Sequence, residues 1–184
     1  MKYFQKIKGD RIYLSPVNIE DKEIYTKWMN DKEIATNIGC YHKTFSLLSE
    51  EKWLQKASND YHFAIILIEN NELIGNVSLR KINPVDQTGE LGIIIGQEEN
   101  RNKGYGKEAI KLILNYGFNT LNLNNVIIKV YSFNKRAINA YNKVGFKKIG
   151  TRRESTYKDG KMYDTIYMDM LKREYNDIKD FIFP

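Results

Sequence analysis

Between Gly89 and Thr120 the chain changes character once: an apolar extended run, GELGIIIG, passes through a charged loop bearing two glycines into a segment whose apolar residues recur at helical spacing. A second extended run, VIIKVY from Val126 to Tyr131, follows. Two strands joined through a helix pair in parallel, because a tight turn can link only antiparallel neighbours. The crossing helix then has to cover the sheet. It carries Ala109, Leu112, Ile113 and Tyr116 on one face and Ile110, Leu114 and Phe118 on a second, which predicts burial on two sides. This unit asks for a mixed α+β fold with a parallel join.

The flanking segments supply the rest of that fold. Arg11 to Leu14 reads as a first strand, ended by Ser15-Pro16. A helix from about Ile19 to Met29 has Asn18 as its N-cap and an apolar stripe of Ile24, Tyr25, Trp28 and Met29. Residues 30 to 45 show no clear period, and Ser49, with Glu50 and Glu51 in the first turn, opens a second helix carrying Trp53, Leu54 and Ala57. The runs FAIILIE and ELIGNVSLR around Asn70-Asn71 form a hairpin. Beyond Tyr131 come a helix from Lys135 to Val144 with Asn134 as its cap, and a closing hairpin, Arg153 to Tyr157 and Met162 to Met170, around Asp159-Gly160. The expected architecture is a mostly antiparallel central sheet of about six or seven strands with a splayed parallel join, flanked by about four helices.

Composition bounds the function. Of 184 residues, 42% are apolar and 12% aromatic, which excludes a disordered chain. The prolines are Pro16, Pro84 and Pro184, and neither a Gly/Ser-rich linker nor a repeat marks a boundary, so 1–184 reads as one domain. Cys40, the one cysteine, cannot form an intramolecular disulfide, and with two histidines, His42 and His62, no metal site is expected. No apolar run approaches a membrane span of roughly 18 to 20 residues, and the start MKYFQKIKGDRIYL lacks the apolar stretch of a signal peptide. A soluble, cytoplasmic protein is the expectation. The 29 Lys and Arg exceed the 23 Asp and Glu by six. That excess fits a solvated lysine surface, a nucleic-acid footprint or a local site for a polyanion.

The chemistry concentrates in Gly92 to Ala109, GIIIGQEENRNKGYGKEA. A helix beginning at the second glycine of a loop offers unpaired backbone N–H groups and the positive end of the helix dipole, and glycine lets a ligand approach the backbone. Arg101, Lys103 and Lys107 add cations, so phosphate or pyrophosphate is the natural guest. Gly104-Tyr105-Gly106-Lys107-Glu108-Ala109 also fits the dinucleotide pattern G-x-G-x-x-A, but the glycines stand well beyond the strand's end and VIIKVY carries no acid for a ribose. No Gly-Lys-Ser/Thr is present, so a Walker A loop is excluded.

Arg101-x-x-Gly104-x-Gly106 resembles the Q/R-x-x-G-x-G/A signature of the GNAT superfamily of acyl-CoA-dependent N-acetyltransferases. Asn134 to Phe146, NKRAINAYNKVGF, is similar to the same family's N-x-x-A-x-x-x-Y-x-x-x-G-F block, and the opening RIYL and the closing Asp-Gly hairpin resemble the branch of ribosomal-protein N-terminal and spermidine acetyltransferases. The resemblance spans roughly residues 9 to 172. It implies acetyl-CoA as cosubstrate and an amine as acceptor, without metal or membrane; a homodimer is compatible with it. Its pantetheine arm would pair with Ile93, Ile94 and Ile95, and the backbone of Arg101, Asn102, Lys103, Gly104, Tyr105, Gly106 and Lys107 would hold the pyrophosphate. Tyr141 matches the tyrosine that protonates the departing thiolate, Asn134 would bond the pantetheine or orient the helix start, and Lys143 would lie near the cofactor. Asn102 stands where many members carry glycine, and asparagine tolerates the left-handed backbone such a turn needs.

Residue chemistry leaves alternatives beside these roles. Tyr141 also completes an apolar stripe with Ala137, Ile138 and Val144. Glu90 shares a strand face with positions 92 and 94 and is the candidate general base for the attacking amine, while a strand-start glutamate can equally be solvated. Glu98, Glu99 and Glu108 read as surface or helix-start charges. Tyr41, His42 and Phe45 form a candidate acceptor wall, with Asp31 and Glu33 as attractors for a cationic amine. Two other functions fit less of the chain: a nucleic-acid-binding module on Lys143, Lys147, Lys148, Arg152 and Arg153, which form no recognisable motif, and a CoA-binding protein without catalysis.

Overall fold

The computed structural model describes residues 2–179; Pro184 lies outside them. The described residues form two compact units, one comprising those up to Ser78 together with Ile93–Leu112, the other Leu79–Gly92 together with those from Ile113 onward. Among the described residues there are eight strands and six α-helices, slightly more than expected.

In the first unit β1 (Ile7–Lys8), β2 (Ile12–Pro16) and β3 (His62–Leu67) lie antiparallel in that order, followed by the start of β4 (Leu73–Asn83). Leu14 stands opposite Ile65, and Ile65 opposite Gly75. Neighbouring residues of β3 are buried alike, with Ala64, Ile65 and Ile66 at 0% exposure, so this sheet is covered on both faces rather than on alternate ones. One cover is helical: α1 (Lys22–Asn30) and α3 (Leu47–Ala57) bring Tyr25, Trp28, Leu54 and Ala57 onto Tyr13, Ala64 and Ile66.

Helix starts follow side-chain capping, with two departures from expectation. Asn18 does cap, accepting from the Glu20 N–H at 2.9 Å, but what it opens is a single 3₁₀ turn before α1. α3 begins three residues earlier than Ser49: Ser46 is the N-cap, and Ser49 is its partner in a reciprocal capping box. The stretch without period holds α2 (Lys32–Ile38), capped by Asp31 and ended by Gly39 in the left-handed conformation. Its buried residues, Ile34, Ala35 and Thr36, are consecutive, so no helical stripe announces it.

In the second unit β5 (Thr88–Ile95), β6 (Asn125–Tyr131), β8 (Lys161–Leu171) and β7 (Lys147–Lys158) follow in that order. The join between β5 and β6 is parallel, pairing Thr88, Gly89 and Glu90 with Asn125, Val126 and Ile127, and the ladder goes no further. β6–β8 and β8–β7 are antiparallel. The closing turn has φ of 46° at Asp159 and 81° at Gly160, the positive pair that a type I′ hairpin requires. β7 is longer than expected, and its register shifts between Arg152 and Thr156, where Glu154 adopts φ 46°.

The crossing helix is α4 (Tyr105–Asn115), continued by one wide turn, Tyr116–Thr120, in which the Leu121 N–H reaches back five residues to Tyr116. Gly117 sits in that turn because a Cβ there would stand 2.9 Å from Leu79. Both apolar faces are buried, with Ala109, Ile113, Leu114 and Phe118 all at 0% exposure. α5 (Lys135–Val144) buries Tyr141 and Val144, and α6 (Lys172–Lys179) buries Tyr175 against Phe118.

The end of β5 is fitted tightly. Gly96 has no room for a side chain, because a Cβ would overlap the Trp28 indole. Gly96→Ala should therefore lower unfolding free energy in urea by about 1–3 kcal/mol through overpacking. Gly150→Ala, where a Cβ meets nothing within 4 Å, should leave the urea midpoint within experimental scatter and serves as the control.

Candidate active site

The first unit contains Ile93 to Ile95 and the loop Arg101 to Lys107. Asn102 has φ 63° and Gly104 φ 89°, so two left-handed residues curl the backbone just before α4. The asparagine does take the conformation expected of it. The Glu108 N–H bonds the Gly104 carbonyl, which makes Gly104 the residue preceding the first helical turn. Among the described residues, no protein acceptor takes the N–H groups of Asn102 through Lys107. A curl of unpaired amides at a helix start is an anion-binding arrangement. Gly106 faces the end of β5, where a Cβ would stand 3.6 Å from Ile95 and 3.9 Å from Ile93.

Arg101 does not serve this rim as a cation. Its guanidinium turns inward, 8% exposed, donating to the carbonyls of Gly96 at 2.9 Å and Ile95 at 3.4 Å and pairing with Glu33 at 2.8 Å. The expectation that Arg101 adds charge for a phosphate is corrected: it ties the loop to the strand end. Glu33 is thereby occupied, and Asp31 is the α2 cap, so neither is a free attractor for an amine.

Sequence reasoning missed the brace of this loop. The Glu108 carboxylate accepts the N–H groups of Asp10 at 2.9 Å, Arg11 at 2.9 Å and Ile12 at 3.3 Å, and pairs with the Arg11 guanidinium at 3.0 Å. Arg11 in turn donates to the Lys103 carbonyl at 2.9 Å and lies 4.8 Å over the Tyr105 ring. Of its two expected places, surface or helix start, Glu108 takes the second, in the first turn of α4. Its partners are 96 to 98 positions away, so no local pattern exposes it.

The second unit contains Glu90, Asn134, Tyr141 and Lys143. Asn134 caps α5, accepting from the Ala137 N–H at 3.0 Å. Tyr141 is 8% exposed beside Phe146, and burial pushes its phenol up to about 12. At neutral pH it holds its proton. Lys143 is exposed in the last turn of α5.

Glu90 is paired three times: with Arg80 at 2.9 Å, Lys81 at 3.0 Å and Lys129 at 3.1 Å. Adjacent strand residues normally point to opposite faces. Here Lys81 adopts φ 51°, and both Arg80 and Lys81 reach one carboxylate. Burial alone would raise the Glu90 pKa, but hydrogen bonds from Lys81 and Lys129 and the Arg80 charge outweigh it and hold the carboxyl below its ordinary range. A carboxylate so stabilised is a weak proton acceptor.

The family model described as the GNAT acetyltransferase domain matches residues 11–147. The chain belongs to the GNAT acetyltransferase family. With the family comes acyl-CoA-dependent acetyl transfer. A Bacillus licheniformis GNAT relative, uncharacterized N-acetyltransferase p20, is 28% identical over 173 residues, covering 90% of this chain and 96% of its own. YdaF of Bacillus subtilis, whose provisional name is ribosomal N-acetyltransferase, is 25% identical over 166 residues, 90% of this chain and 88% of its own. Among solved GNAT structures, spermidine N-acetyltransferase from Vibrio cholerae in complex with CoA and spermine superposes with a TM-score of 0.82 at 25% identity, covering 91% of this chain and 99% of that one. The names of the branch anticipated from the sequence both occur among these relatives.

Two measurements check this GNAT geometry. Glu108→Ala should cost about 1–3 kcal/mol in urea unfolding, because three N–H groups lose a charged acceptor. Glu108→Gln should cost less, since an amide oxygen still accepts at that place. For Glu90 the folded pKa is depressed, so its stabilisation is present above the unfolded glutamate value of about 4.3 and is lost as pH falls through the lower folded value. The stability gap between wild type and Glu90→Gln should therefore be open at pH 7 and close progressively below about pH 4.

Proposed function

We propose that the chain transfers an acetyl group from acetyl-CoA directly to a primary amine, with no covalent enzyme intermediate. One observation carries the reading: the N–H groups of Asn102 to Lys107 have no acceptor among the described residues and stand where a helix begins. The CoA pyrophosphate satisfies them, assisted by Lys103 and Lys107. The pantetheine lies along Ile93 to Ile95, past the point where the parallel ladder stops. Asn134 fixes the start of α5, the helix that carries Tyr141 and, exposed in its last turn, Lys143.

The neutral amine nitrogen attacks the thioester carbon, and the carbonyl π electrons move onto oxygen. A backbone N–H near Ile94 or Ile95 receives the oxyanion. Collapse breaks the C–S bond, the Tyr141 hydroxyl proton passes to the leaving sulfur, the excess proton on nitrogen goes to water, and the Tyr141 phenolate regains a proton from solvent before the next turnover. Holding amine and thioester together supplies most of the acceleration, since effective molarities reach about 10⁵ to 10⁸ M. The Tyr141 phenol carries its proton at neutral pH and so is available for this part, while burial, which pushes it up to about 12, makes it a weaker acid than an exposed tyrosine. Glu90 suits the part of base poorly, because three cations favour its ionised form; solvent therefore takes the amine proton in this scheme.

Acetyl-CoA at 100 times its Kd should stabilise the protein by about 2.7 kcal/mol in a thermal-shift titration. Tyr141→Phe should keep that shift and lose about 10²- to 10⁴-fold in kcat, read by release of free CoA thiol with an amine panel. No shift in either protein rejects the CoA site. A full shift with undiminished kcat in the variant rejects Tyr141 as the acid.

A further inference from the structure

Glu90 is a poor base, and its surroundings suit a different part. Three cations share its carboxylate: Arg80 at 2.9 Å, Lys81 at 3.0 Å and Lys129 at 3.1 Å. One would neutralise it. An ion pair with an exposed cation stabilises little, and these side chains are 46%, 70% and 39% exposed, so stability does not account for the second and third. The arrangement also strains the backbone. Lys81 holds φ 51° inside β4, a left-handed conformation that a lysine keeps only where its surroundings impose it, and this is what brings two successive residues, Arg80 and Lys81, to one carboxylate.

The carboxylate is buried while all three cations reach solvent, so the cluster presents positive charge outward. Three positive charges against one negative leave two uncompensated. Asp169, which faces the same way from β8 opposite Ile127, accepts from the Asn125 side-chain amide at 2.7 Å and pairs with none of the three, so the face stays positive with it counted. Lys129 is further placed by the Tyr167 ring, its partner in the register, at 5.8 Å. An ammonium has three donors and a guanidinium five, so each cation keeps donors beyond those used on Glu90.

The position gives that charge a use. Glu90 stands opposite Ile127 on the last rung of the β5–β6 ladder, beyond which the two strands no longer pair. Gly92 and Ile94 continue the face of Glu90 along β5. Ile94, where the oxyanion donor is proposed, is four residues on, about 13 Å at the ordinary rise of a strand.

We infer that Arg80, Lys81 and Lys129, gathered by Glu90, bind a carboxylate or phosphate carried by the acceptor, so that the acceptor is an amine with an anionic group several bonds from the reacting nitrogen. The inference rests on the acyl-transfer reading above. Glu90 is then a positioning residue, which needs its carboxylate ionised and has no proton to move.

The test compares 6-amino-1-hexanol, 6-aminohexanoate and 6-aminohexyl phosphate, which present the same amine and differ in charge at the far end. With acetyl-CoA saturating, kcat/KM for at least one anionic acceptor should exceed that for the alcohol tenfold or more, and the better of the two identifies the anion. In Lys81→Asn/Lys129→Gln the ratio should fall toward 1; asparagine suits the left-handed backbone, and Arg80 still pairs with Glu90. Lys81→Arg/Lys129→Arg keeps both charges and should keep the ratio. Calorimetric titration of both anions, with and without CoA, should show at least tenfold weaker binding to the neutralised double variant, whether or not the anion is turned over. Wild-type ratios near 1 for both anions, or an anion affinity that is absent in wild type or unchanged in the neutralised variant, overturn the inference. A tenfold loss of CoA affinity in that variant overturns it too, because the cations then serve the cofactor. Failure of CoA to bind wild type overturns the acyl-transfer reading instead, and the titration without CoA still reads the anion site.

Discussion

The loop before α4 keeps its shape because of Glu108. One carboxylate in the first turn of that helix collects three consecutive N–H groups at the entrance to β2 and a guanidinium besides. These contacts fasten the chain around Arg11 to the start of α4. Arg11 then holds the Lys103 carbonyl and packs on Tyr105, and from the other side Arg101 holds the carbonyls of Ile95 and Gly96. With the Lys103 carbonyl drawn to Arg11 and the Arg101 side chain anchored on the strand end, the N–H groups of Asn102 to Lys107 are left without acceptors among the described residues. An anion site made of backbone costs no reorganisation when the ligand arrives, which is the useful property in a positioning enzyme.

One charge that a sequence reader assigns to a phosphate is thus employed in holding the protein: Arg101 stands in the signature and beside the loop, yet its side chain is 8% exposed and paired with Glu33. The same reversal separates the acids. Glu90, Glu108 and Glu33 are each tied to cations or amides, whereas Glu50, which looked like an ordinary helix-start charge, is buried at the first place of the core-facing stripe of α3. Charge type was readable from the sequence, and charge employment was not, because employment depends on partners far away along the chain.

What could be read was whatever a local rule governs. The parallel crossing, the doubly buried helix, the Asn134 cap and the Asp159-Gly160 turn each follow from spacing or from the conformational freedom of one or two residues, and each is present. Asn102 in a left-handed conformation belongs with them. What escaped was decided by tertiary contact. α2 buries three consecutive residues and so has no stripe; α3 starts at Ser46 because a reciprocal serine pair satisfies its first amides better than the Glu50-Glu51 charge pattern suggested. β1 is two residues long and exists only as a partner of β2.

The titratable groups proposed for the chemistry are separated by environment in a way that fits their parts. Tyr141 lies in an apolar stripe, and the same burial that makes it look like a core residue keeps its proton in place, so the packing reading and the catalytic reading describe one property. Glu90 carries three cations and stays ionised. The phenol can give a proton that the carboxylate is disinclined to take. In the proposed transfer an amine acceptor then arrives already neutral at the reacting nitrogen or loses its proton to water, because neither titratable group is placed to take it.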